Sequence, residues 1–164
     1  MNKEWIDIAE EICRRCGGIC CVDAHPPVST GRKDLMVRAG TSENVFEFYG
    51  YQRLAARSDG TCIMMKNGRC QVHGIKPETC ISGPFTFDLH GNVLEIYLKR
   101  ESLCPLVRYL KEDREAYDCQ YEMAVKNITS LVEEIPRSEL EVIVRIPEPE
   151  TDKVAEIILT RGYV

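Results

Sequence analysis

The chain has 164 residues, 44% of them hydrophobic and 29% charged, with a net charge of −5. A chain of this size can bury roughly 65–70% of its unfolded surface without covalent staples. The acidic balance argues against nucleic acid as a partner, which needs a basic stripe, and the absence of an apolar run of about 18 residues argues against a membrane span.

The N-terminal stretch MNKEWIDIAEEIC carries acids and lacks the apolar centre of a secretory signal. Trp5, Ile8, Ala9 and Ile12 recur at helical spacing, which predicts a helix over 4–16. Gly17-Gly18 ends it, so Cys13 and Cys16 stand on its last turn and Cys20 and Cys21 in the loop beyond. His25-Pro26-Pro27 reads as extended. Thr30 can cap a short helix through Val37, Ser42 another over 43–49, and Gly40 separates them.

Strands are predicted over 51–57 and 62–65, with Asn67-Gly68 as a hairpin turn. Pro77 can open a short helix at PETC. Phe85–Leu89 and Val93–Leu98 form a second hairpin around His90-Gly91-Asn92. A long helix is predicted from about Pro105 to Ile135. Tyr117, Tyr121, Ala124, Ile128, Leu131 and Ile135 give it one apolar face, and Pro136 stops it. LEVIVRI is rich in strand formers, yet Ser138 and Glu141 resemble a capping box. Residues 151–161 read as a final helix, and Pro147–Pro149 as a linker. The expected class is α+β: a small cysteine-rich metal-binding domain with short β-hairpins in the middle and a long helix in the C-terminal half. One domain is expected over 1–164, with a cysteine-cluster region at 13–104 and a helical or mixed extension at 105–164.

Nine cysteines in a chain without an export signal point to metal or redox chemistry. Their odd number excludes complete disulfide pairing. Burial as small apolar residues explains one or two, not CRRCGGICC with its CxxC and its adjacent pair. A CxxC turn lets two thiolates converge on one metal. Adjacent cysteines tend to point apart, which suits two neighbouring centres or one polynuclear cluster. Cys13, Cys16, Cys20, Cys21, Cys62, Cys70, Cys80 and Cys104 are the candidate ligands. Cys119, on the long helix, reads as a structural or free thiol.

Hairpin register bears on how many sites there are. A two-residue turn pairs Met65 with Cys70 and puts Cys62 and Cys70 on opposite faces. A three-residue loop puts them on one face. Arg14, Arg15, Lys66, Arg69 and Lys76 lie beside candidate ligands, as ordinary surface charges or as partners for thiolates. His73 stands three residues after Cys70, a ligand-like spacing. His25 is a lesser candidate, and His90 reads as a turn residue.

The arrangement CxxC…CC, a cysteine hairpin, then KPETC and Pro84-Phe85, resembles the CxxCxxCC cysteine-cluster family. Its members are described as zinc- or iron-chelating domains, and its wider group includes flagellin lysine N-methylase. The resemblance covers about Cys13 to Cys104, and the family's eight cysteines map onto the first eight here. This chain departs from the pattern in places. Three residues, Gly17 to Ile19, precede the adjacent pair where two are usual. His73 stands where Tyr is common, Lys76 where Arg is, and Ile81 where an Arg often follows the cysteine. Cys62 lacks the usual Pro-Phe after it.

These readings predict a cytoplasmic metal-binding protein holding an iron–sulfur cluster, [4Fe–4S] in preference, or thiolate-bound zinc. Its partners would be metal ions and a protein redox partner or protein substrate. A zinc-stapled interaction module is one alternative. A metal-dependent protein-modifying enzyme, methyltransferase-like by resemblance, is another. No Gly-rich nucleotide loop, P-loop or CxxxCxxC radical S-adenosylmethionine motif is present.

Overall fold

The computed structural model describes residues 3–146 and 150–160. The N-terminal helix forms as its periodicity predicts, α1 at Lys3–Cys16. The second helix, α2 at Thr30–Arg38, is capped one residue earlier than expected, by Ser29, whose Oγ accepts from Arg32 N. Ser42 also caps, but over a single 3₁₀ turn, Glu43–Val45, so no helix fills 43–49. The chain instead enters a small hairpin, β1 at Phe46–Phe48 paired with β2 at Gln52–Leu54.

A second hairpin joins β3 at Met65–Lys66 to β4 at Arg69–Cys70 through Asn67 and Gly68. Both turn residues have positive φ, 51° and 72°. That is the backbone a two-residue turn needs to match the strands' twist. The expected strand over 62–65 is mostly turn, because Met65 N–H closes onto Cys62 O at 3.0 Å. The short helix α3 at Glu78–Ser82 follows Pro77, which holds its N-cap position without a side-chain cap bond.

The main sheet has the order β5 (Phe85–His90), β6 (Val93–Lys99), β7 (Thr151–Ile158), all antiparallel. Strand β6 alternates cleanly, with Leu94, Ile96 and Leu98 buried. Strand β7 corrects the helix expected over 151–161. Its register sets Ala155 opposite Ile96 and Ile157 opposite Leu94, on the core side. Lys153 faces outward and bonds Glu95 at 3.2 Å and Glu156 at 2.6 Å. The expected linker at Pro147–Pro149 lies outside the described residues.

The expected long helix is two: α4 at Leu106–Glu112 and α5 at Arg114–Glu134. Asp113 breaks the run with extended φ and ψ and caps α5, its Oδ1 accepting from Ala116 N at 3.0 Å. The apolar face of α5 holds as read at Ala124, Ile128, Leu131 and Ile135, with Tyr117 and Tyr121 partly buried. Pro136 ends it and leads into α6 at Arg137–Ile143. Helix wins over strand there, and Ser138 lies inside the helix, not at a cap.

Two hydrophobic clusters result. The larger joins Trp5 of α1, the buried face of the main sheet, and α4, α5 and α6. The smaller gathers Val28, Met36, Leu54, Cys62 and Val72. No described helix is long and apolar enough to cross a membrane.

Candidate metal centre

Helix α1 delivers Cys13 and Cys16 on its last turn. Gly17 and Gly18, with φ of 71° and 79°, then reverse the chain into a 3₁₀ turn at Ile19–Cys21. Glycine suits position 18 chiefly for its backbone. Left-handed φ is costly for other residues, and a Cβ there would run into Met65 Cε. The turn is stitched to a distant segment by main-chain bonds. Cys62 N–H donates to Cys21 O at 2.8 Å, and Asp23 N–H to Gly60 O at 2.9 Å. These bonds set the adjacent pair beside Cys62.

A cavity of about 630 Å³ opens between the two hydrophobic clusters. Cys13, Cys20, Cys21, Cys62, Cys70 and Cys80 line it, six of the eight candidates. Cys16 and Cys104 do not. Both still lie close enough for their sulfurs to act on the group, since Cys104 feels Cys20, Cys13 and Cys16. Cys119 is absent from the lining and packs against the larger cluster. All nine cysteines are free thiols.

The expected alternation of Cys62 and Cys70 does not hold. The turn is the two-residue one, and Met65 does pair with Cys70. But Cys62 lies before β3 begins, so strand alternation never reaches it. Both cysteines pack into the smaller cluster and line the same cavity.

In the metal-free chain burial favours the neutral thiol at several positions. Burial pushes up the thiols of Cys13 and Cys62, takes Cys104 up to about 11 and Cys80 up to about 12. Cys20 goes the other way. The Cys21 thiol beside it donates a hydrogen bond and holds Cys20 down to about 6, with help from Lys99 and Lys76, while Cys21 is pushed up. Main-chain N–H groups of Met64 and Leu106 are directed at the sulfurs of Cys62 and Cys104. Such bonds and nearby cations favour thiolate over thiol, as metal–thiolate sites require. The donor types are those a thiolate-bound metal takes, and among the described residues no three cysteine sulfurs lie within 4.8 Å of one another.

Of the flagged cations, Arg14, Arg69 and Lys76 line the cavity. Arg14 and Arg15 are held by Glu11, at 2.6 Å and 2.9 Å. Sequence reasoning missed Lys99, another lining residue. It ends β6, and only the strand's register brings it there. His73 and His25 line the cavity, and burial lowers the pKa of His73. His90 sits at the far end of the β5–β6 hairpin. Asp88, His90 and Glu95 hold ligand-type atoms within 4.8 Å of one another there. Glu95 is already taken by Lys153 and by the Tyr97 hydroxyl.

The family model described as "Putative zinc- or iron-chelating domain", CxxCxxCC, matches residues 12–120. The chain belongs to the CxxCxxCC family. The match takes in all nine cysteines and runs from the end of α1 into α5. The family is described by zinc or iron chelation, and the clustered cysteines of this region agree with that description. No curated protein and no solved structure gives a significant match to the chain.

Proposed function

We propose that the chain is a single-domain metal protein of the cytoplasm that holds an iron–sulfur cluster, [4Fe–4S] in preference, through thiolates drawn from Cys13, Cys16, Cys20, Cys21, Cys62, Cys70, Cys80 and Cys104. Its role is electron transfer with a protein partner. In this reading the metal-binding region is 13–104, and 105–164 is the scaffold that closes it. The carrying observation is the convergence of six free thiols, from four separate segments, on one cavity. A single tetrahedral ion takes four ligands. More thiols than that, around about 630 Å³ of space, suit a polynuclear centre.

When bound, the cluster would supply one-electron redox chemistry. The chain's own residues do the rest. The Gly17-Gly18 reversal presents Cys20 and Cys21 to the cavity. Lys76 and Lys99 offset thiolate charge. The burial of Cys62 keeps water from part of the ligand shell. Cys20 is exposed, beside the exposed Ile19 and Val22. That apolar rim is where a redox partner would approach. The cytoplasm is the compartment in which so many thiols stay reduced.

The family description names zinc as well as iron, which leaves a second reading: zinc held by the same ligands, with a structural role. One measurement separates them: iron, zinc and acid-labile sulfide per chain, on protein purified without air. Iron with matching sulfide supports the cluster. Zinc without sulfide excludes electron transfer and leaves the zinc reading. Neither metal, with nine titratable thiols, overturns both.

A further inference from the structure

Among the described residues, two buried side-chain polar atoms lack a hydrogen-bond partner, His73 Nε2 and Glu78 Oε2. Their surroundings differ. Glu78 is otherwise engaged, since Ser29 Oγ donates to its Oε1 and Arg32 Nε lies 3.9 Å from it. His73 lines the cysteine cavity. An unpaired buried polar group costs about 1–3 kcal/mol, and native proteins keep few of them. Thiols are weak hydrogen-bonding groups and satisfy an imidazole nitrogen poorly. A metal satisfies it well. Imidazole mixed with thiolate is a common donor set for zinc, and histidine replaces cysteine on one iron of some clusters.

The local fold explains how His73 reaches the cavity. Strand β4 ends at Cys70, and a 3₁₀ turn at His73–Ile75 follows. Cys70 and His73 therefore leave one short segment for the same cavity wall.

We propose that His73 Nε2 is a ligand of the metal in the cysteine cavity, giving one metal position mixed imidazole and thiolate donors. The inference rests on the metal-binding reading above. A neutral imidazole in place of a thiolate removes one negative charge from the site. In an iron–sulfur centre this change raises the reduction potential.

The test uses the full chain, labelled with ¹⁵N in its imidazoles, freed of resident metal under reducing conditions and loaded with ¹¹³Cd²⁺. Expected is a cadmium–thiolate absorption band together with ¹⁵N–¹¹³Cd coupling at one histidine Nε2. In H73Q the coupling is lost and the band remains. H25Q, in which the coupling should survive, keeps the assignment testable if H73Q folds poorly. A thiolate band with no imidazole coupling overturns the role of His73 and leaves metal binding intact. So does a coupling that survives in H73Q. Absence of any cadmium–thiolate band overturns the metal reading, and this inference with it.

Discussion

Trp5 donates its indole N–H to Gln120 Oε1 at 3.1 Å, across the larger hydrophobic cluster. Gln120 uses its other end as well, donating from Nε2 to Ile81 O at 3.0 Å and Gly83 O at 2.7 Å. One buried amide thus ties the helix that carries Cys13 and Cys16 to the segment just after Cys80. Its substitution by leucine takes these partners from a buried indole N–H and two part-buried carbonyls. Gln120→Leu is expected to cost about 2–4 kcal/mol and to lower metal occupancy. Urea unfolding and metal analysis of the same preparation check both. A loss below about 0.5 kcal/mol would mean that the bonds do not clamp the two segments.

Cys16 and Cys119 test the proposed division between ligand and scaffold. Cys16 ends α1 within reach of the group, whereas Cys119 sits on α5 against the larger cluster. Cys16→Ser should lose metal and stability together. Cys119→Ser should keep its metal and change stability little. Equal, intact metal content in both variants would sink the ligand assignment.

Stability should respond to pH in opposite directions with and without metal. In the metal-free chain, Cys104 and Cys80 hold their protons up to about 11 and about 12, from an ordinary value of 9.0. The unfolded chain gives up these protons first. Their contribution is therefore fully present below pH 9 and is lost as pH rises through 11–12. If the same sulfurs hold the metal they are thiolates in the loaded chain, protons compete with the metal, and stability should fall as pH falls. Melting temperatures of both forms between pH 5 and pH 11 should diverge accordingly. Parallel curves would show that these thiols do not bind the metal.

Gly18 offers a backbone test. Alanine there meets both a φ of +79° and Met65 Cε. Gly18→Ala should cost about 1–3 kcal/mol and weaken metal binding by displacing Cys20 and Cys21. An alanine variant with wild-type metal affinity would show that the turn does not position the pair.

Asp113 is a plain cap, so Asp113→Ala should cost about 1 kcal/mol and leave metal content unchanged. A drop in metal content would mean that α5 couples to the site more tightly than its packing implies. This residue also shows where sequence reading stops. The apolar period before and after Asp113 suits one continuous helix, and nothing in the period reveals that the aspartate turns back to cap a new one. The opposite case is Asn67-Gly68, where two residues dictate positive φ and the hairpin could be read outright. Helix α1 and the face of α5 were legible for a similar reason, since their information lies within one or two turns.

Strand β7 was not legible. Val154, Ile157 and Ile158 have helical spacing, and only pairing with β6, far back in sequence, makes Thr151–Ile158 extended. The site shows the same division. The cysteines announced themselves by type and spacing. That Cys62 and Cys70 share a wall, and that Lys99 joins them, depends on long-range main-chain bonds that no local pattern encodes.

The stitching of Cys21 to Cys62, and the arrival of Cys104 from beyond the main hairpin, also set an order of events during synthesis. Four thiols at Cys13 to Cys21 leave the ribosome first. At roughly 5–20 residues per second, about 5–20 s pass before Cys104 follows. Through that interval the early thiols have neither their cavity nor their full set of companions, and air or stray metal can reach them. Oxygen exposure during translation should therefore damage this protein more than the same exposure after release, because its most vulnerable state is the unfinished one.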